Sequence, residues 1–255
     1  MHQKRLSAPK ILPIPRKEHK FTVKTMPGPH PKERAIPLLI IVRDILKYCS
    51  TYREAKSIIA RKEIYVDGRP IRHHQFPVGV MDVITVPRLK QAFRVLPTIG
   101  EKLTLHPITE DEAQFKIVRI NGKRLVKGGK LQLNSHDGRS FLFDLSDVRR
   151  DKKLKKYNVG DSLKISLPDQ EILEHLPLKE GMYGLIVFGK NMGKVGKIEK
   201  ITPGTAFQKP LVTLSYDGHE VTTLLEYMII IGKDEPEITL PEEILKWPEI
   251  EASRT

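Results

Sequence analysis

Apolar positions in the first third of the chain recur first with helical and then with strand spacing. Leu38, Leu39, Ile41, Val42, Ile45 and Leu46 fall on one side of a 3.6-residue helix, and Pro37 suits its first turn. A second helix opens at Thr51. Thr51 and Glu54 stand at the spacing of a capping box, and Ala55, Ile58 and Ile59 supply a buried stripe. Ile64-Tyr65-Val66 and Val83-Ile84-Thr85-Val86 are short β-rich runs; Asp67-Gly68 after the first is a hairpin signal, and Pro87 closes the second. Residues 38–90 thus read as a small helix–helix–hairpin module.

Further along, strands are expected at 115–120, 131–133, 141–143 and 163–167, separated by Asn121-Gly122, Gly128-Gly129, Asp137-Gly138 and Gly160-Asp161 as turns. They predict a central mainly-β domain over 91–176. A second β unit over 177–233 is expected from runs at 185–188, 195–201, 211–214 and 228–231 around a glycine-rich loop, Gly189 to Gly196. The predicted class is therefore α+β and multidomain, with no fixed-period repeat. Seven of the 19 prolines lie in residues 1–37, with nine Lys/Arg against Glu18 and Glu33. Proline fixes φ and removes a donor, so this segment reads as an extended arm that orders on a partner. From Lys233 onward seven acids face three bases, and the tail over 234–255 is expected to be irregular and docked, or disordered.

Charge sharpens this picture. The net charge of the 255 residues is +13, and residues 1–100 alone hold 20 Lys/Arg against seven Asp/Glu. The remainder is neutral, so the first hundred residues should meet a polyanion. The longest apolar run, from Ala35 to Val42, is too short for a membrane span, and the first residues carry no secretory apolar stretch. Cys49 is the lone cysteine, which excludes an internal disulfide or thiolate zinc cluster and fits a reducing, cytoplasmic compartment. His73 and His74 are adjacent, and on an extended chain their rings would diverge, a poor chelate. The chain carries no nucleophile elbow, no Walker loop and no HExxH; the 189–196 loop lacks the Lys-Ser/Thr and helix of a phosphate loop. No catalysis, cofactor, metal or small-molecule substrate is expected.

The cations of the helical module are the stronger signal. Arg43, Lys47, Arg53, Lys56, Arg61 and Lys62 lie on helices whose other sides are apolar, and Arg69, Arg72, His73 and His74 follow in the hairpin region. Cations on one side of a rigid scaffold match a sugar–phosphate backbone. With no zinc-finger or basic-zipper signature, irregular RNA read by shape suits the layout better than DNA.

Segment 38–87 resembles the alpha-L RNA-binding motif, through its two helices, Ile64-Tyr-Val-Asp-Gly68 and Val78-Gly-Val-Met-Asp-Val-Ile84. Segment 184–198 resembles the KOW motif, an SH3-like β-barrel element. Together, and with Lys4-Arg-Leu-Ser-Ala-Pro-Lys10, Gly28-Pro-His-Pro-Lys32, Phe93-Arg-Val-Leu96, Asn134-Ser-His-Asp-Gly-Arg139 and Ile231-Gly-Lys233, they make the chain similar to the archaeal/eukaryotic form of ribosomal small-subunit protein four over about residues 2–240. The acidic stretch 242–255 departs from that pattern. The resemblance implies a structural component of the cytoplasmic small ribosomal subunit, with ribosomal RNA and neighbouring ribosomal proteins as partners. Lys4, Arg5, Lys10, Arg16, Lys17, Lys20, His30, Lys32 and Arg34 of the arm, and Lys190 and Lys194 of the loop, would then join the RNA-binding set. An RNA-modifying enzyme and a KOW-bearing translation or transcription factor are the competing classes.

Overall fold

The computed structural model describes residues 3–100, 102–145 and 155–247. It divides into two compact units, one of Met1–Lys116 with Ser166–Gln170 and one of Ile117–Ile165 with Glu171–Thr255. Of the tail expected over 234–255, residues 248–255 lie outside the described residues.

The first unit begins with strands β1 (Gln3–Lys4) and β2 (Phe21–Thr22), paired antiparallel with Lys4 opposite Phe21. Strand β3 (Ala35–Pro37) leads into α1 (Leu38–Ile40), whose path continues through wider five-residue turns over Ile41–Ile45. Leu38, Leu39, Ile40, Ile41 and Val42 are all fully buried. The expected one-sided helix is thus buried all round over its first five residues, while Arg43, Asp44, Ile45 and Leu46 are half-buried. Helix α2 (Tyr52–Ala60) starts at the expected capping box: Thr51 accepts from the Glu54 amide and Glu54 accepts from the Thr51 amide. Ala55 and Ile59 are buried as expected, and Ile58 is half-buried.

Strands β4 (Tyr65–Val66) and β5 (Arg69–Pro70) form the expected hairpin. Asp67 and Gly68 both sit at positive φ, 51° and 74°, the backbone of a tight two-residue turn whose twist matches its strands. Strand β6 (Pro77–Gly79) pairs with β3, and β7 (Val83–Val86), β8 (Gln91–Thr98) and β9 (Lys102–Ile108) complete a sheet of order β5-β4-β7-β8-β9. The chain continues the module through residue 116, where the sequence suggested a boundary near 90. Strand β8 reads as a separate domain by distance from the helices, yet its ladder runs directly on β7, with Val83 opposite Arg94.

The arm also differs from the expectation of a segment ordered only on a partner. Ala8, Ile11, Leu12 and Ile14 are buried, and the Ile11 carbonyl accepts from the Leu103 amide at 3.1 Å. Burial of Ile11, Leu12 and Ile14 contributes roughly 1.5–3 kcal/mol each toward holding the arm, and its prolines lower the entropy that ordering costs.

Strands β10 (Phe115–Val126), β11 (Lys130–Ser135), β12 (Ser140–Asp144), β13 (Ser162–Ser166) and β14 (Ile172–Leu176) give a sheet of order β12-β11-β10-β13-β14, which lies in the second unit except for Phe115, Lys116 and Ser166 of the first. Its core holds Val118, Ile120, Leu131, Leu133, Tyr157, Leu163 and Ile165. Asn121-Gly122 is not a turn: β10 runs through it with a shift of register between Ile120 and Gly122. A bulge accepts the same residue pair that a turn does. A second sheet of order β18-β17-β16-β15-β19 is built from β15 (Tyr183–Ile186), β16 (Val195–Thr202), β17 (Leu211–Tyr216), β18 (His219–Leu224) and β19 (Met228–Gly232). Helix α3 (Glu242–Leu245) follows, with Ile244 and Trp247 buried.

Candidate nucleic-acid interface

Burial of one side of α2 turns the other outward. Ala55 and Ile59 are fully buried, while Arg53, Lys56, Arg61 and Lys62 are exposed. Lys47, Arg69 and Arg72 are exposed as well. Lys47 and Lys62 lie just past helical segments at φ 56° and 61°, left-handed positions that usually take glycine. Lysine there places positive charge where the last carbonyls of a helix point. Arg43 is half-buried and fixed in a fork on its neighbour Asp44, at 2.7 and 2.9 Å. That bond raises the Arg43 guanidinium above its ordinary value.

The hairpin-side histidines form a small aromatic group. The rings of His73 and His74 stack with centroids 5.8 Å apart and 13° between planes, so the expected divergence is corrected. Residues 71–74 lie between strands rather than in one, and so lack the alternation that would splay them. Tyr52 Oη lies 2.7 Å from His74 Nε2. Burial, helped by Lys56 and His73, lowers the proton affinity of His74. Among the described residues no cluster of three or more His, Cys, Asp or Glu could hold a metal ion.

Beneath the surface runs a network of buried charges. Lys116, fully buried, donates to Asp67 Oδ2 at 2.9 Å and Asp82 Oδ1 at 2.5 Å. His30 Nε2 lies 3.0 Å from the same Asp82 oxygen, and Asp82 Oδ2 accepts the Gly79 amide at 2.8 Å. Burial alone would raise the Asp82 carboxyl, but His30 and Lys116 outweigh it and hold the group well below the usual carboxylate range. His30 comes this close because Gly79 has no side chain; a Cβ there would stand 2.3 Å from the ring. The network therefore joins the arm (His30), the hairpin turn (Asp67), the loop before β7 (Asp82) and β10 (Lys116). Arg94, also fully buried, is held by Glu112 Oε1 at 3.2 Å and by the carbonyls of Glu112 and Phe115.

Within the arm, several expected contact residues serve its own fold. Arg16 donates to the carbonyls of Ala8 at 2.8 Å and Pro9 at 3.0 Å. Arg5 is buried and donates to the Pro15 carbonyl at 2.7 Å. Both replace backbone donors that a proline-rich chain lacks. His30 is buried in the charge network, and Lys32 is half-buried. Lys4, Lys10, Lys17, Lys20 and Arg34 remain on the surface. Arg88 and Lys90, also exposed, extend the cationic surface of this unit beyond the residues expected from sequence.

In the second unit the glycine-rich loop is a tight turn. Gly189 and Gly193 lie at φ 85° and 89°, and Lys190 is exposed. Lys194 is buried with its ammonium 4.8 Å from the Trp247 ring centroid, and the Trp247 indole donates to the Val195 carbonyl at 2.9 Å. The start of the acidic tail thus covers one of the two expected loop cations. No helix among the described residues is long and apolar enough to cross a membrane.

An exposed cationic surface held on an interlocked charged interior defines a scaffold that presents charge. Comparison with known proteins makes the class specific. Residues 1–33 match the RS4NT (NUC023) domain and residues 89–172 the ribosomal family S4e. The small ribosomal subunit protein eS4 of Methanothermobacter thermautotrophicus is 45% identical over 241 residues, which cover 94% of this chain and 96% of that one. The eS4 protein of Hyperthermus butylicus is 45% identical over 244 residues, 94% and 95% of the two chains. The crystal structure of the 30S ribosomal protein S4e from Thermoplasma acidophilum superposes with a TM-score of 0.66 at 32% identity, covering 79% of this chain and 97% of that one. The chain belongs to the eS4 family of small ribosomal subunit proteins, a structural family and not one of enzymes.

Proposed function

We propose that this protein is a structural constituent of the cytoplasmic small ribosomal subunit that binds ribosomal RNA through the exposed cations of its first unit. The helix–helix–hairpin portion acts as an alpha-L module and the 177–233 region as a KOW-type barrel, with neighbouring ribosomal proteins as further partners. The observation that carries the reading is the exposure of Arg53, Lys56, Arg61 and Lys62 on and just after α2, whose other side buries Ala55 and Ile59, with Lys47, Arg69 and Arg72 also exposed in the same unit. Fixed cations meet phosphates without first paying to order the chain. Lys4, Lys10, Lys17, Lys20 and Arg34 supply arm contacts, and Lys190 a separate one from the second unit. Arg5, Arg16, His30 and Lys194 contribute by holding the surfaces that carry the others.

The test is the salt dependence of binding to small-subunit ribosomal RNA. Arg53→Gln with Lys56→Gln and Arg61→Gln should weaken binding and lower the slope of log K against log salt by about 0.7–0.9 per lost phosphate contact, with the circular dichroism spectrum unchanged. An unaltered slope in a folded variant would remove this face from the interface.

A further inference from the structure

Residues 71–74 lie between β5 and β6, and main-chain bonds tie this segment to the start of α1. The Leu39 amide donates to the His74 carbonyl at 3.0 Å and the Leu38 amide to the Phe76 carbonyl at 2.9 Å. The Phe76 amide closes a turn on the His73 carbonyl at 3.1 Å. Leu38 and Leu39 are themselves fully buried. The backbone that carries the two histidines is therefore anchored in the core of the unit. His74 is the inner ring: it is half-buried, with the Tyr52 hydroxyl 2.7 Å from Nε2 and the Tyr52 ring edge-on at 5.4 Å between centroids. His73 is the outer ring: it is exposed, lies parallel to His74 at 5.8 Å, and has no other ring contact among the described residues. Offset parallel packing of this kind is a favourable arrangement for two aromatic rings.

Cations flank this pair. Arg72 precedes His73 in the chain, and Lys56 is close enough to His74 to lower its proton affinity. Both are exposed, and neither is in an ion pair among the described residues. Glu54, the one acid of α2, is occupied by the amides of Ser50 and Thr51 at 3.2 Å each. An open aromatic ring beside uncommitted cations suits a base together with its phosphate. A surface that met phosphates alone would have no use for a fixed pair of rings, and an apolar protein pocket would have to strip water from both cations.

The geometry points to His73 as a stacking platform for one unpaired base of ribosomal RNA. The base lies on the side of the ring away from His74, and Arg72 and Lys56 meet the phosphates beside it. The inference rests on the RNA-binding reading above and adds a base contact to its phosphate contacts. A base-paired strand does not supply the ligand, because its bases are stacked on one another.

The test uses the full chain with small-subunit ribosomal RNA. His73→Ala should lower affinity roughly 5- to 150-fold, the range for one stacked base, and leave the slope of log K against log salt unchanged. His73→Phe, which keeps a ring and cannot carry a proton, should bind as the wild type does. Arg72→Gln with Lys56→Gln should instead lower the slope by about 0.7 per phosphate contact on a single strand. Wild-type affinity in a His73→Ala variant with an unchanged circular dichroism spectrum overturns the platform alone. So does full binding by His73→Lys with weak binding by His73→Phe, which would make the contact one of charge. Failure of the wild-type chain to bind the ribosomal RNA overturns the broader reading with it.

Discussion

Lys116 neutralises two carboxylates that the first unit buries almost completely. Lys116→Met keeps most of the side-chain length and packing but removes the charge. Asp67 then retains the Val83 amide at 2.9 Å, and Asp82 retains His30 and the Gly79 amide, while the cation 2.9 and 2.5 Å from them is gone. Breaking a buried ionic group by removing one member costs about 3–5 kcal/mol, because the remaining charges stay out of water. For a unit of this length that corresponds to a fall in Tm of roughly 10–20 °C. Amide hydrogen exchange during thermal unfolding is the suitable assay: the amides of Val66, Val83 and Val95 report the first unit, and those of Leu131 and Ile165 the second. Only the first set should lose protection early. Adding Asp82→Asn to Lys116→Met should restore part of the loss by removing the uncompensated charge. A loss under about 1 kcal/mol for the single variant would refute the claim that these charges form one interdependent group.

Three further outcomes follow from the same geometry. Asp82 has a lower proton affinity folded than unfolded, so its contribution is present above the unfolded value of about 4 and is lost as pH falls through the folded one; urea midpoints should drop on acidification below pH about 4, and Asp82→Asn should flatten that drop. Lys62 sits at φ 61°, where a side chain is strained by about 1 kcal/mol; Lys62→Gly should raise the urea midpoint by an amount worth about 0.5–1 kcal/mol while reducing ribosomal RNA affinity, a pairing of gain and loss that a purely structural lysine would not give. Trp247→Ala should destabilise the second unit by about 3–5 kcal/mol in urea, and a cost below about 1 kcal/mol would show that the tail is not docked there.

The local signals were readable in the sequence because they are made by neighbours. Thr51 and Glu54 cap α2 through their own backbone, and Asp67-Gly68 turns a hairpin because both tolerate positive φ. Asn121-Gly122 shows where such local information stops, since only the partner strand decides between a turn and a bulge. Strand β18 carries no clear strand signal because His219, Glu220, Thr222 and Thr223 dilute its apolar alternation. The docking of the arm and the role of Lys116 were hidden for another reason. Lys116 reads as an ordinary strand lysine, and its partners lie 34 and 49 residues away. The exposed cations of α2 were legible from amphipathic spacing, whereas burial of Arg5, His30 and Lys194 depends on contacts that spacing does not encode.

Sedimentation of native cell extract through a sucrose gradient, probing every fraction for this chain, bears most directly on the central claim. A structural constituent should migrate stoichiometrically with the small ribosomal subunit and survive a moderate-salt wash. Migration in the light fractions, or release by mild salt, would contradict it.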